Sequence, residues 1–239
     1  MGQRSANLAV AQKPWTCQSM GGGWRWGQFS RALPLSVLLP SLLDSSSTHE
    51  CSPSTHVNKI VYFVCTSNTC RSPMAEVIAK RWLAERHQVE VEKLEEKTGW
   101  VVRSAGLTED YEKAGSPASA NSITAMKKVG ITLANHSSKM LKGQDVEEAL
   151  AIFCITARHR DWVLHMFPTA ETKVRVLERD VEDPWHKDQV AYDVCASQLL
   201  EVVPRILAKE FSYLIEAETR GERVVGTEHR QDITFGLGL

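Results

Sequence analysis

The sequence predicts an α/β fold in which a four-stranded parallel sheet is flanked by helices on both faces. Short runs of β-branched and aromatic residues alternate along the chain with segments whose apolar residues recur at helical spacing. Strands that alternate with helices run parallel and are covered on both faces. A polar loop that leads from the first strand into a helix start is the second indication. The strands are expected at Asn58–Val64, Val101–Ala105, Ala151–Thr156 and Val174–Leu177.

The helices are predicted between and after these strands. Ser72-Pro73 and Ser116-Pro117 each combine an N-cap residue with a proline at the first helical position. Gly130 is expected to end the second helix, and Pro204 to bend the last one. The four predicted helices span Ser72–His87, Ser116–Val129, Arg158–Met166 and Ala191–Phe211.

Composition excludes several classes of protein. The 239 residues are 43% hydrophobic and 24% charged, which is ordinary for a globular protein and excludes a wholly disordered or collagen-like chain. A net charge of −1 gives no sign of a nucleic-acid or anionic-membrane partner. The longest apolar run, Ala32–Leu43, is interrupted by prolines and shorter than the roughly 18 residues of a membrane-spanning helix. We therefore expect no nucleic-acid partner and no membrane partner.

Composition also suggests the domain boundaries. Residues 57–216 are expected to fold, and 217–239 to form a flexible tail. Residues 1–43 contain no Asp or Glu, and a serine-rich stretch follows them. Residues 1–56 therefore resemble an organellar transit segment, although a disordered or misassigned extension and a secretory signal are alternatives.

The most informative segment joins the first strand to the first helix. The segment Cys65-Thr66-Ser67-Asn68-Thr69-Cys70-Arg71-Ser72 has a cysteine and an arginine at the two ends of a polar loop, with five residues between them. The unpaired N–H groups and dipole of a helix N-terminus favour anions, and successive loop amides can surround them. The sequence therefore predicts a C-x5-R phosphate-binding loop after the first strand.

Cys65 and Arg71 are the catalytic candidates within this loop. Loop amides, the helix N-terminus and the guanidinium would stabilise the thiolate of Cys65 as a nucleophile. Arg71 offers a planar fork for two phosphoryl oxygens, and Ser72 can donate a hydrogen bond to the sulfur. A buried core cysteine is the structural alternative. Since C-x4-C is not a usual zinc spacing, neither a metal nor another cofactor is expected.

A thiolate nucleophile also needs an acid that protonates the leaving group. Asp183 in Asp183-Pro184-Trp185 is the candidate, and Trp185 could form a wall of the cleft. An Asp-Pro pair alone is commonly a turn signal. Asp180, Glu182 and Asp188 are equally acidic alternatives.

The segment Phe63–Glu76, FVCTSNTCRSPMAE, resembles the active-site signature of low molecular weight protein tyrosine phosphatases. The similarity extends over roughly residues 58–212 and includes VRSAGL at 102–107, HSSKML at 136–141 and Asp183-Pro184. It implies a phosphatase that acts on phosphorylated proteins through a phosphocysteine, without cofactor or metal. The implied roles are nucleophile for Cys65, phosphate-binding arginine for Arg71, general acid for Asp183, loop organisers for Asn68 and Ser72, loop buttress for His136 and redox partner of Cys65 for Cys70.

Three positions depart from the family pattern or discriminate within it. Ser67 replaces the usual loop glycine, which predicts a cost of about 1 kcal/mol if that residue has positive φ. Trp185 stands where tyrosine or phenylalanine is usual. Thr69 resembles bacterial protein-arginine phosphatases, whereas tyrosine-directed members usually have a larger aliphatic residue there. Phosphotyrosine and phosphoarginine both remain possible substrates.

Two other functions are compatible with the loop. A thioredoxin-coupled arsenate reductase also needs a downstream cysteine pair, but Cys154 and Cys195 are far apart in sequence. A phosphoprotein-binding module without catalysis would be expected to lack Cys65, Arg71 or the acid. A thiolate enzyme suits a reducing compartment, so cytoplasmic or organellar location is favoured over secretion. The sequence does not indicate an oligomeric state.

Overall fold

A computed structural model of the chain describes residues 58–133 and 135–222. The predicted extension, residues 1–56, and most of the predicted tail, residues 223–239, lie outside these ranges. Four parallel strands form one sheet in the order β2-β1-β3-β4. The strands are β1 (Lys59–Cys65), β2 (Trp100–Gly106), β3 (Ala149–Cys154) and β4 (Val174–Val176). The predicted α/β fold is confirmed, with strand ends that differ by one or two residues.

Six α-helices connect and cover the strands. Alternate residues of β1 point to opposite faces, so Val61 and Phe63 enter one core and Tyr62 and Val64 the other. The first core is closed by α1, α3 and α6, and the second by α4 and α5. The short α2 and α4 were not predicted. The helices are α1 (Arg71–His87), α2 (Leu94–Thr98), α3 (Ala120–Lys128), α4 (Gly143–Glu148), α5 (Ala157–Met166) and α6 (Gln189–Thr219).

In both serine-proline segments, the serine predicted to be the N-cap residue is not the one that caps the helix. The first helix begins at Arg71, after Cys70 in the N-cap position, and Ser72 lies within its first turn. The hydroxyl of Ser72 is 3.0 Å from the Cys65 sulfur and does not cap the helix. In α3 the cap is Ser119, whose Oγ accepts from the Ser122 amide at 3.3 Å, and not Ser116.

The last helix is longer than predicted. It runs through Pro204 and continues past Phe211 to Thr219, so the expected tail from 217 begins inside a helix. Glu218 explains this extension, because its carboxylate accepts from Lys59 Nζ at 2.6 Å and from Trp100 Nε1 at 2.9 Å. These bonds attach the end of α6 to the beginnings of β1 and β2. No helix in the described ranges is both long and apolar enough to cross a bilayer.

Candidate active site

The loop between β1 and α1 forms the centre of the site. Cys65 is the last residue of β1, at the carboxyl edge of the sheet, and only 3% of its surface is exposed. Its sulfur lies 3.0 Å from Ser72 Oγ in the first turn of α1. The strand thus places the sulfur against the N-terminus of a helix, where unpaired amides favour a negative charge.

The direction of the hydrogen bonds around Cys65 follows from Asn68. The Asn68 amide group donates to Ser72 Oγ at 2.9 Å and to Ser104 Oγ at 2.8 Å. Ser104 in turn donates to the carboxylate of Glu76 at 2.6 Å. Since the Ser72 oxygen accepts from Asn68, its proton is left to be donated to the sulfur. The Ser72 hydroxyl is thus a hydrogen-bond donor within reach of the sulfur.

Asn68 also sets the shape of the loop backbone. It has a φ of 57°, in the left-handed region that asparagine tolerates better than most side chains. Its Oδ1 accepts from the Lys139 amide at 3.0 Å, and its carbonyl accepts from His136 Nε2 at 2.7 Å. Ser67 is not among the residues with positive φ, so the condition for strain at Ser67 is not met. The loop residue with a left-handed backbone is Asn68, which follows Ser67.

His136 contacts the loop as the family resemblance implied. A carbonyl oxygen can only accept, so Nε2 of His136 carries the proton of this hydrogen bond. Burial lowers the pKa of His136 below its ordinary value, although the bond to Asn68 opposes this. A neutral ring with a fixed tautomer supports the loop without adding a positive charge beside it.

The guanidinium of Arg71 contacts three other residues, Asp183, Thr66 and Val181. Only 5% of it is exposed. Nη2 lies 2.5 Å from Asp183 Oδ2 and 3.5 Å from Thr66 Oγ1, and Nη1 donates to the carbonyl of Val181 at 3.3 Å. Nε is buried and has no hydrogen-bond partner among the described residues. A buried unpartnered donor is costly, and an oxyanion at the loop would satisfy it.

Of the four acidic candidates, Asp183 is the one that contacts Arg71. Its side chain is 45% exposed, and Oδ1 accepts from the Trp185 amide at 3.2 Å. Asp180 accepts from the Ala157 amide at 3.1 Å. Glu182 pairs with Lys187, and Asp188 caps α6. Asp180 also lines the cavity above the loop, but among these four acids it is Asp183 that pairs with the Arg71 guanidinium, and Asp183 is open to solvent as well.

A cavity of about 450 Å³ opens above the loop. Cys65, Arg71, Thr69 and Asp183 all line it, so the structure brings these predicted residues together. Trp185 lines it too, as predicted. The rings of Trp185 and Tyr111 make an edge-to-face contact, with centroids 5.1 Å apart and planes at 77°. Tyr111 also lines the cavity, and sequence reasoning missed it.

Sequence reasoning also missed His159 in the first turn of α5. It lines the same cavity, and its Nε2 lies 3.1 Å from Thr66 Oγ1. The available signal was its position just after the third strand, because the carboxyl ends of neighbouring parallel strands share one edge of the sheet. That edge is where ligands bind in open α/β folds.

Comparison with known proteins identifies the family. Residues 60–212 match the low molecular weight phosphotyrosine protein phosphatase family. The chain belongs to this family. A protein-arginine-phosphatase of Geobacillus stearothermophilus is 31% identical over 156 residues, which are 62% of this chain and 94% of that relative. The structure of a YwlE arginine phosphatase mutant with a phosphorylated active-site serine aligns at 30% identity, with a TM-score of 0.54 over 64% of this chain and 95% of that one.

The arsenate reductases among the relatives match a smaller part of the chain. A Bacillus subtilis arsenate reductase is 37% identical over 92 residues, which are 38% of this chain and 52% of that relative. Cys154 and Cys195, the two downstream cysteines, are fully buried, and burial raises the pKa of each to about 12. They lie in the two different cores. Neither thiol is placed to carry a disulfide from the loop to solvent.

The remaining loop cysteine, Cys70, is a free thiol. Its sulfur donates to Ser119 Oγ at 3.5 Å and lies 3.7 Å from the hydroxyl of Tyr192. Burial raises the pKa of Tyr192 to about 12, so this hydroxyl keeps its proton. Cys70 thus lies buried between α3 and α6, directly beside Arg71 in the loop.

Proposed function

We propose that this phosphatase hydrolyses phosphoarginine in proteins through a phosphocysteine intermediate. The observation that carries the proposal is the convergence of the Cys65 sulfur, the Arg71 guanidinium and the Asp183 carboxyl group on one cavity. A nucleophile, an oxyanion-binding group and an acid are the three parts that this reaction needs.

In the first step the Cys65 thiolate attacks phosphorus in line with the leaving group. A sulfur–phosphorus bond forms as the phosphorus–nitrogen bond breaks, and Asp183 donates a proton to the departing nitrogen. Arg71 and the loop amides hold the three equatorial oxygens and stabilise their charge in the transition state. The phosphoryl oxygens take the place of Asp183 at Arg71, which frees the carboxyl group for the leaving atom.

In the second step Asp183, now a carboxylate, removes a proton from water. The water oxygen attacks phosphorus, and the sulfur–phosphorus bond breaks. Inorganic phosphate leaves, and Cys65 returns to its thiolate form. Ser72 assists in this step, because its hydroxyl donates to the sulfur as the negative charge returns. The protein needs no other reactant than water.

Three features support phosphoarginine over phosphotyrosine. Thr69 is small and hydroxylated, lines the cavity and is 7% exposed. Asp110, Asp180 and Asp183 add three carboxylates to the cavity wall, which suit a guanidinium leaving group. The aromatic rings of Tyr111 and Trp185 can hold a planar cation. The protein-arginine-phosphatase relative, at 31% identity over most of its length, supports the same choice.

The test is a comparison of two peptides that differ only in phosphoarginine or phosphotyrosine at the central position. With the full chain we expect kcat/KM to be higher for phosphoarginine. Thr69→Ile should shift the ratio of the two kcat/KM values toward phosphotyrosine by about tenfold, since one pocket contact is worth about 1–3 kcal/mol. Thr69→Ser is the matched control and should keep the wild-type ratio. A higher value for phosphotyrosine in the wild type would overturn the proposed substrate.

We also infer that the protein works in the cytoplasm or an organelle with reducing conditions. Four cysteines of the described residues are free thiols, and a catalytic thiolate requires that Cys65 stays reduced. Its partners are then phosphorylated proteins of that compartment. Microscopy of the full chain fused at its C-terminus to a fluorescent protein tests this location, and secretion into the medium would contradict it.

A further inference from the structure

A buried histidine connects α5 to the phosphate-binding loop. His159 is 4% exposed. Its Nε2 lies 3.1 Å from Thr66 Oγ1, and its Nδ1 lies 2.9 Å from Thr156 Oγ1. On the other side, Thr66 Oγ1 accepts from Arg71 Nη2 at 3.5 Å. A continuous line of hydrogen bonds therefore runs from the guanidinium through Thr66 and His159 to Thr156.

The ring of His159 is neutral at physiological pH. Burial lowers its pKa to about 3, and the positive charges of Arg71 and Arg158 act in the same direction. A neutral imidazole has one donor and one acceptor nitrogen. Thr66 Oγ1 accepts from Arg71, so its own proton can be donated to Nε2. Nδ1–H then donates to Thr156 Oγ1, so both ring nitrogens of His159 have a partner.

The hydrogen bonds from His159 through Thr66 to Arg71 matter more when substrate binds, because Arg71 then loses its contact with Asp183. Arg71 has three protein contacts at its terminal nitrogens: Asp183, Val181 and Thr66. The proposed mechanism replaces Asp183 with phosphoryl oxygens. The carbonyl of Val181 and the hydroxyl of Thr66 are then the two groups that still fix the plane of the guanidinium. A planar fork binds two oxygens well only in one orientation.

We propose that His159 is a positioning residue for the reaction: through Thr66 it orients Arg71 toward the phosphoryl oxygens. This inference rests on the proposed function. His159 does not touch the reacting atoms, and its effect on catalysis is exerted through the hydroxyl of Thr66. The opposing explanation is that His159 only fills space and stabilises the first turn of α5, where its amide donates to the N-cap Thr156.

The two explanations differ in what happens to oxyanion binding. His159→Leu removes both side-chain hydrogen bonds and keeps an apolar group of similar size. His159→Gln keeps an amide near the position of Nε2. Thr66→Val removes the hydroxyl from the loop side. For these three full-length variants, calorimetric titration with inorganic phosphate gives Kd, peptide assays give kcat and KM, and thermal unfolding gives Tm.

We expect His159→Leu and Thr66→Val each to raise the Kd for phosphate about tenfold, the effect of losing one hydrogen bond in a charged network. The kcat for the phosphoarginine peptide should fall with it. His159→Gln should recover most of both losses. The double variant Thr66→Val with His159→Leu should be no worse than either single variant, because both interrupt the same line.

A structural role alone would lower Tm in His159→Leu and leave the Kd for phosphate within twofold of the wild type, and this result would overturn the inference. Additive losses in the double variant would overturn it as well. If His159→Leu does not fold, Thr66→Val decides, and a Kd for phosphate within twofold of the wild type in that variant would overturn the inference. If the wild type hydrolyses neither peptide, the proposed function fails, while phosphate binding still reports on Arg71.

Discussion

The interior of the phosphate-binding loop and the rim of the cleft are built in different ways. Asn68 and Ser72 in the loop are fully buried, and every hydrogen-bonding group of the Asn68 side chain has a protein partner. At the rim, Tyr111 is 55% exposed, and the side chain of Asp183 is 45% exposed. The loop is therefore shaped before substrate arrives, whereas the rim can adjust to it.

This difference separates catalysis from selectivity. Buried hydrogen bonds in a satisfied network cost much to break, while exposed contacts are weakened by water. Substitutions of the buried loop residues that organise its backbone, such as Asn68, should slow every substrate by a similar factor, whereas Thr69 lines the cavity and belongs with the rim. Substitutions at the rim should change the ratio between substrates, because the rim contacts the leaving group and the loop contacts the phosphoryl group common to all of them.

The largest effect is expected from Cys65→Ser. A serine hydroxyl is not ionised near neutral pH, so turnover of any phosphate ester or phosphoramidate should fall at least about 10⁴-fold. The assay is release of phosphate from an aryl phosphate and from the phosphoarginine peptide. The variant should still bind inorganic phosphate, since Arg71 and the loop amides remain. Activity at a tenth of the wild-type value would contradict the role of Cys65.

Asn68→Ala should give the next largest effect. It removes the bonds to Ser72, Ser104 and Lys139 and places a Cβ-bearing residue without a local hydrogen bond at φ 57°. We expect kcat to fall by about 10²-fold for both peptides and the free energy of unfolding to fall by about 3 kcal/mol. Urea unfolding and peptide assays measure the two effects.

Asn68→Gly is the matched variant that keeps the backbone conformation but not the amide. It should be as slow as Asn68→Ala, since both lack the bond to Ser72, but closer to the wild type in stability. If the two peptides lost activity by factors that differ more than threefold, the separation between loop and rim would be wrong.

The loop could be predicted because its chemistry is local in sequence. Cys65, Arg71 and Ser72 lie within one strand–loop–helix unit, so spacing alone brings them together. The alternation of apolar patterns likewise predicts the parallel sheet, because the same residues form the buried strands. The sequence alone does not separate Asp183 from its three acidic neighbours as the general acid, because the four residues differ only in where the loop directs their side chains.

The remaining partners depend on which strands are neighbours, and periodicity does not give strand order. Ser104 meets Asn68 because β2 lies beside β1, and His159 meets Thr66 because β3 lies on its other side. The misassigned cap at Ser116 has a local cause. Two serines were available, and Ser119 caps the helix while its Oγ also accepts from Cys70.

Asp183→Ala tests the rim and should have an effect that depends on the substrate. A poor leaving group needs a proton, so kcat for the phosphoarginine and phosphotyrosine peptides should fall by about 10²-fold. An aryl phosphate with a strongly activated phenolate needs little protonation, and its loss should be much smaller. Glu182→Ala is the control, because Glu182 pairs with Lys187 and does not line the cavity, and it should retain activity toward all three substrates. Equal losses for all three in Asp183→Ala would point to another acid.

The smallest effect is the change in the free energy of unfolding when the pH is lowered. It tests whether the histidines that contact the loop stay buried, in contrast to the exposed rim. The pKa of His159 is lowered to about 3 in the folded protein, chiefly by burial and then by Arg71 and Arg158, and is about 6.5 in the unfolded chain. Below pH 6.5 the unfolded chain therefore binds a proton that the folded protein does not, and stability falls as the pH falls. His136, whose pKa is also lowered by burial, acts in the same direction.

From pH 8 to pH 5 the contribution of His159 alone should lower the free energy of unfolding by about 2 kcal/mol. Urea unfolding at both pH values measures the loss, and His159→Gln, which does not titrate, should show a loss smaller by that amount. Equal losses in the wild type and His159→Gln would mean that the histidine beneath the loop is accessible to protons. The loop would then open as readily as the rim, and the distinction between a preformed loop and an adjustable rim would not hold.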